Sequence, residues 1–168
     1  PNPWLGGLGV CFPMTTPLVS AFQPVPLTDW LGPVIGVANG DLAVRQQIDG
    51  RLRFTGGAEQ INANLDLSGE YPAVHPPAAS ISQVISSVSS LLPFVSQTPI
   101  CRIWGGLLDL TPDALPILDC VPSVNGRYIA AGFSGHGVGI APAVGEVMAR
   151  QIRGKKPTSS VDAIALER

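Results

Sequence analysis

The residues best suited to chemistry lie in one run, Gly132-Phe133-Ser134-Gly135-His136-Gly137-Val138-Gly139, between an extended apolar stretch and a helical one. Glycines at 135, 137 and 139 remove side chains from one approach to the backbone. N–H groups then point outward at the start of a helix, where partial positive charge collects. Such a site suits an anion, a carbonyl or a developing negative charge. It suits equally a tight turn with close helix–strand packing, and the spacing alone leaves both open. Ser134 and His136 raise a nucleophilic alternative. Gly132-Phe133-Ser134-Gly135 begins as G-x-S-x-G does, but His136 stands where the last glycine belongs. No carboxylate can be assigned to orient the histidine, so serine hydrolysis is the weakest of the three readings.

The elements around this run follow from periodicity and turn chemistry. Residues 10–28 read as an extended strand with irregular ends. Leu42 to Gln47 and Arg51 to Thr55 read as a hairpin around Asp49-Gly50, the second strand ending at Gly56-Gly57. Residues 60–78 read as an irregular connection, because Tyr71-Pro72 and His75-Pro76-Pro77 exclude helix. Ile81, Val84, Ile85, Val88, Leu91 and Leu92 recur at helical spacing, with Ser80 as the expected cap and Pro93 beyond the end. Ile100 to Leu110 and Leu115 to Cys120 read as extended. Asn125-Gly126 marks a second hairpin into Arg127 to Gly132. A helix is predicted from about Ala141 to Ile152, with Pro142 in its first turn and Val144, Val147, Met148 and Ile152 as its buried stripe. Residues 154–168 read as an exposed tail. The fold class expected is α+β: a mixed, largely antiparallel sheet with two main helices. Residues 1–100 would form a sheet and helix, and 101–153 a second segment of strands, glycine-rich loop and helix.

Composition narrows the function classes. Ten basic and twelve acidic residues give a formal charge of −2. The one basic cluster, Arg153-Gly154-Lys155-Lys156, reads as a solvated helix end, so no nucleic-acid footprint is expected. No stretch approaches the roughly 20 apolar residues of a membrane span. Cys11, Cys101 and Cys120, with His75 and His136, have neither disulfide-framework nor metal-site spacing, so no metal is expected. Cysteines so placed read as small buried hydrophobes in a reducing, cytoplasmic setting. Charged residues make up only 13% of the chain, about half the usual share, and the mean hydropathy is positive. A chain this apolar is expected to cover surface against a partner or a missing half of the same protein. The opening at Pro1-Asn2-Pro3-Trp4, without Met, fits a processed or partial polypeptide.

The run 132–137, followed by a helix containing Gly145-Glu146, resembles the C-terminal signature of the D-amino-acid oxidase/sarcosine oxidase superfamily. Upstream, Arg102 to Leu107 and Thr111-Pro112-Asp113-Ala114-Leu115-Pro116-Ile117 resemble that family's W-x-G-L…T-P-D-x-x-P-I stretch. The hairpin from Val44 to Gly57 resembles its substrate-domain strands. The likeness runs from about residue 10 to 153 and is greatest to the beta subunits of opine, hydroxyproline and sarcosine oxidoreductases. The resemblance implies an FAD-dependent enzyme that oxidises a C–N bond of a small amine or amino acid by hydride transfer from the α-carbon to flavin N5. It implies that Ser134, Gly135, His136, Gly137, Val138 and Gly139 lie along the pyrimidine side of the flavin, and that Gly105, Gly106 and Leu107 border the ring. It implies substrate contacts from Arg45 and from the Gly135 carbonyl.

The departures are informative. Leu108 and Gly139 stand where relatives carry a carboxylate-binding arginine or lysine. Gly106 stands where covalent relatives place cysteine, so the FAD is expected to be non-covalent. Gly6-Gly7-Leu8-Gly9 is not the G-x-G-x-x-G fingerprint, because no strand precedes it and no helix follows. A further chain or segment is therefore expected to carry the dinucleotide-binding half. No side chain is an obvious catalytic base, which suits chemistry carried by the cofactor. The alternative is a non-enzymatic, structural subunit of the same fold.

Overall fold

The computed structural model describes residues 13–28, 31–37, 42–60, 74–157 and 161–166. Gly6-Gly7-Leu8-Gly9, Cys11 and Tyr71-Pro72 lie outside them, as do parts of the predicted connection and tail. The chain divides into two units, Pro17–Leu107 and the described residues of Pro1–Thr16 with Leu108–Arg168.

The first unit is a five-stranded sheet with one helix. Its strands are β1 (Leu18–Pro24), β2 (Ile35–Gly36), β3 (Leu42–Gln46), β4 (Leu52–Glu59) and β5 (Ile100–Leu107). The order is β2-β3-β4-β1-β5, and each neighbouring pair is antiparallel. The parallel pairing that a mixed sheet requires does not occur among the described residues. Between Gln46 and Leu52 the chain turns with Gly50 at φ +80°. A Cβ there would meet the Leu27 carbonyl oxygen at 2.5 Å, so only glycine fits. At this turn the backbone amide of Arg51, then its guanidinium, hold the Asp49 carboxyl below the usual carboxylate range.

Alternation along β3 and β4 puts Leu42, Val44, Leu52 and Phe54 on one face, where Phe54 stacks on Phe22 of β1 at 4.8 Å. Helix α1 (Ala78–Leu91) lays Ile81, Val84 and Val88 on this unit, and Val84 and Val88 join that core. The 3-10 turn Pro93–Gln97 follows, adding Val95. β4 does not stop at Gly56-Gly57 but runs on to Glu59. A Cβ at Gly56 would meet Val84 Cγ2 at 2.5 Å. The glycine therefore lets α1 approach the strand instead of ending it. Ser80 is not the cap of α1; it lies within the helix, which begins after Pro77 with no side-chain cap. Its hydroxyl donates to Glu59 Oε2 at 2.8 Å while Ser20 donates to Oε1 at 2.8 Å. One carboxylate thus ties β1, β4 and the first turn of α1 together, where a negative charge is favoured.

The second unit holds the hairpin of β6 (Ile117–Cys120) and β7 (Tyr128–Ala131) and helix α2 (Gly137–Ile152). Ile117, Val121 and Ile129 form its core. The helix starts four residues before the predicted Ala141, so Pro142 lies inside it rather than in its first turn. Its apolar stripe is only partly covered. Val144, Val147 and Met148 are half-buried, and Ile152 is exposed. The tail is not wholly free: Leu166 donates its N–H to Asp119 Oδ2 at 2.9 Å and packs on the core. Cys101 and Cys120 are exposed free thiols rather than buried hydrophobes. Among the described residues no helix is long and apolar enough to cross a membrane, and no three His, Cys, Asp or Glu side chains gather to hold a metal.

Candidate functional site

The glycine-rich run is built from Asp109. Its Oδ2 accepts the N–H of Gly132 at 2.8 Å and of Phe133 at 3.2 Å. Its backbone oxygen accepts the N–H of Ser134 at 3.0 Å. Three successive amides are thus held by one residue 23 positions upstream. Gly132 takes φ +68°, and a Cβ there would meet Thr111 Cγ2 at 2.4 Å. Ser134 takes φ +50° and Gly135 φ +84°. A non-glycine residue in the left-handed region is uncommon and needs support. The support is the buried Ser134 Oγ. It accepts from the Thr111 amide at 3.2 Å, lies 3.2 Å from Thr111 Oγ1, and is 3.2 Å from the Gly132 carbonyl, to which it can donate. Ser134 therefore fixes the loop, and no bond joins its hydroxyl to His136. That disposes of the nucleophile–base pair a hydrolase needs.

Two left-handed residues followed by His136 in the right-handed region turn the chain directly into α2. The His136 amide donates to Phe133 O at 2.8 Å, and the His136 carbonyl accepts from Gly139 and Ile140 at 3.0 and 3.2 Å. Gly139 is thus already inside the helical ladder, and its N–H is not free, contrary to the arrangement expected for a loop running to 139. Gly135, Gly137 and Val138 donate to no partner among the described residues. A Cβ at Gly135 would meet nothing, and Val138 is 96% exposed. The start of α2 therefore offers bare amide donors on an open surface, with the helix dipole adding to their pull on negative charge.

The other predicted residues lie in the first unit. Gly105 is a packing glycine: a Cβ would meet Leu18 Cδ1 at 2.8 Å, and its amide donates to Val74 O at 2.9 Å. Gly106 faces open space and Leu107, the last residue of β5, is half-buried. Arg45 is exposed on β3, paired in register with Arg53 of β4. Arg45 and the Gly105-Gly106-Leu107 stretch thus sit on strands separated by β4 and β1. Sequence reasoning missed Asp109, whose only signal was its place just before Thr111-Pro112.

Residues 6–151 match the model of the family described as FAD dependent oxidoreductase, DAO. Over 160 residues the chain is 26% identical to the sarcosine oxidase subunit beta of Rhizobium meliloti (strain 1021), covering 95% of this chain and 36% of that protein. It superposes on L-proline dehydrogenase from P. horikoshii with a TM-score of 0.82 at 27% identity, covering 96% of this chain and 42% of the other. Glycine oxidase from Geobacillus kaustophilus shares the fold, with a TM-score of 0.81 at 19% identity over 96% and 41% of the two chains. The chain thus spans well under half the length of each.

Proposed function

We infer, from a chain that belongs to the FAD dependent oxidoreductase family, that it supplies part of an enzyme oxidising the C–N bond of a small amine or amino acid. The similar proteins are named for sarcosine, glycine and L-proline, and the class those names share is what we carry over. The single observation behind the reading is the set of unpartnered amides at Gly135, Gly137 and Val138, at the start of the 16-residue helix α2.

These residues fit a flavin. The ring's pyrimidine edge presents carbonyl oxygens, and donors without partners on an open surface are what such an edge needs. Ser134 belongs to the site as the residue that holds the loop, while Gly135 leaves the approach free of side chain. The Gly135 carbonyl is the proposed acceptor for a substrate N–H. Gly106, with open space where a Cβ would be, and Leu107 are proposed to border the ring, and Arg45 to reach the substrate. When bound, the flavin supplies the two-electron acceptor. The chain's own groups bind and orient, and a helix end acting on nearby negative charge contributes about 0.3–1 kcal/mol when exposed and up to about 2 when partly buried.

A further chain or segment is proposed to bring the dinucleotide-binding half. Val34 and Ile152, both exposed, are the apolar residues we expect such a partner to cover. Because Gly106 offers no sulfur, acid precipitation of the complete, yellow assembly is expected to release its flavin into the supernatant. Flavin staying with this chain contradicts the non-covalent assignment, and a colourless assembly contradicts the enzyme itself in favour of a structural subunit.

A further inference from the structure

The face of the five-stranded sheet turned away from the Phe22–Phe54 core carries positive charge that nothing among the described residues balances. Register and alternation define this face. Phe22 pairs with Phe54 and with Ile103. Antiparallel partners share a face and neighbours along a strand oppose each other. Trp104, which pairs with Ala21, therefore points away from that core. Arg102 lies two residues from it, Arg53 lies between core residues Leu52 and Phe54, and Arg45 is the register partner of Arg53. Three guanidinium groups thus come from β3, β4 and β5 onto one surface.

Two of them share a ring. Arg53 lies 5.2 Å and Arg102 5.4 Å from the centroid of Trp104. The indole attracts each cation, yet bringing both to one ring sets like charges against each other. The described carboxylates of this unit are engaged elsewhere: Asp49 pairs with Arg51, and Glu59 receives Ser20 and Ser80. Arg53 Nε is buried and has no hydrogen-bond partner among the described residues. A buried donor left unmet is costly and marks a place where an acceptor belongs.

We propose that this face binds a small molecule carrying at least two carboxylate groups, bridging Arg53 and Arg102 across Trp104 with Arg45 beside them. The planar guanidinium fork, with its five N–H donors, matches the two oxygens of a carboxylate. Both forks sit over one ring, so two carboxylates on a short carbon skeleton reach both. Arg45 is also the proposed substrate contact, so the inference deepens that reading, while its observations come from the first unit alone and citrate binding is read without flavin.

Calorimetric titration of the full chain with citrate at low ionic strength tests it, alongside indole fluorescence, with Trp104→Phe separating that signal from Trp4 and Trp30. Saturable binding is expected, with acetate and inorganic phosphate far weaker. Arg53→Gln and Arg102→Gln are each expected to weaken citrate by about tenfold or more, as for a lost charge-assisted pair. Arg51→Gln, which removes an equal charge at the turn, is expected to leave it within about twofold, since exposed charges act weakly at a distance. Arg102 is exposed on its strand, so its variant tests the site even where Arg53→Gln disturbs folding. Absence of saturable citrate binding, phosphate binding more tightly than citrate, or equal losses from Arg51→Gln and Arg102→Gln overturns the proposal.

Discussion

Asp109→Ala is expected to destabilise the second unit by about 2–6 kcal/mol. The carboxylate is the acceptor for two consecutive amides, Gly132 and Phe133. Removing it leaves both donors without their acceptor, at roughly 1–3 kcal/mol each where water does not replace it. The backbone bond from Ser134 to the Asp109 carbonyl survives the change, so the loop loosens at its entrance. Asp109→Asn keeps an acceptor oxygen at the same place and is expected to lose only about 1 kcal/mol, the charge-assisted part. Denaturant unfolding followed through the second unit measures both. Equal losses for the two variants contradict the accounting, because they would assign the whole effect to the charge.

Gly132→Val is expected to be as damaging by a different route. The φ of +68° costs a residue with a Cβ about 1–2 kcal/mol. A Cβ placed 2.4 Å from Thr111 Cγ2 cannot stay there, and overpacking of this kind costs typically about 1–3 kcal/mol more. Thr111→Ser removes the methyl carbon that would be struck. The double variant is therefore expected to recover part of the loss and the strain to remain. No recovery at all would make backbone conformation the whole of the effect, and full recovery would make the contact the whole of it. Either result contradicts the division made here.

These two positions also show what a linear reading finds and misses. The turn at Asp49-Gly50 is legible because its chemistry is local: the dipeptide reports a φ that glycine supplies. Helix α1 is legible because Ile81, Val84 and Val88 recur at the period of a helix and are buried at that period. The start of α2 was not. Gly137 and Gly139 each disfavour helix by about 1 kcal/mol relative to alanine, so propensity moves the predicted start past them. The bonds from Gly139 and Ile140 to the His136 carbonyl override it. Serine is a good cap, yet the partner of Ser80 is a carboxylate 21 residues away on β4. Asp109 is illegible for the same reason. A carboxylate that holds amides 23 residues downstream leaves no periodic or spacing signal. The pairing of β1 with β5, from Leu18 opposite Leu107 onward, is likewise non-local and comes only with the fold.

The site divides along the same line. That glycine-rich backbone lies ahead of a helix was readable, but which amides remain unpaired was not. Gly139 drops out of the donor set because the helix claims it, and the burden falls on Gly135, Gly137 and Val138.

The most direct test of that donor set is the deletion of one N–H without a change of fold. Val138→Pro does this. Position 138 is the second residue of α2, where the first turn tolerates proline because its N–H has no helical partner. The preceding residue is glycine, which lacks the Cβ that clashes with the proline ring. Flavin affinity of the complete assembly is to be measured for wild type and Val138→Pro, with thermal unfolding as the control for folding. Flavin binding is expected to weaken about two- to tenfold, the value of one hydrogen bond of about 0.5–1.5 kcal/mol, with the unfolding midpoint little changed. Unchanged flavin affinity in a variant that folds like the wild type would contradict the claim that these amides face the cofactor, and would leave the segment from Gly132 to Gly139 a structural turn.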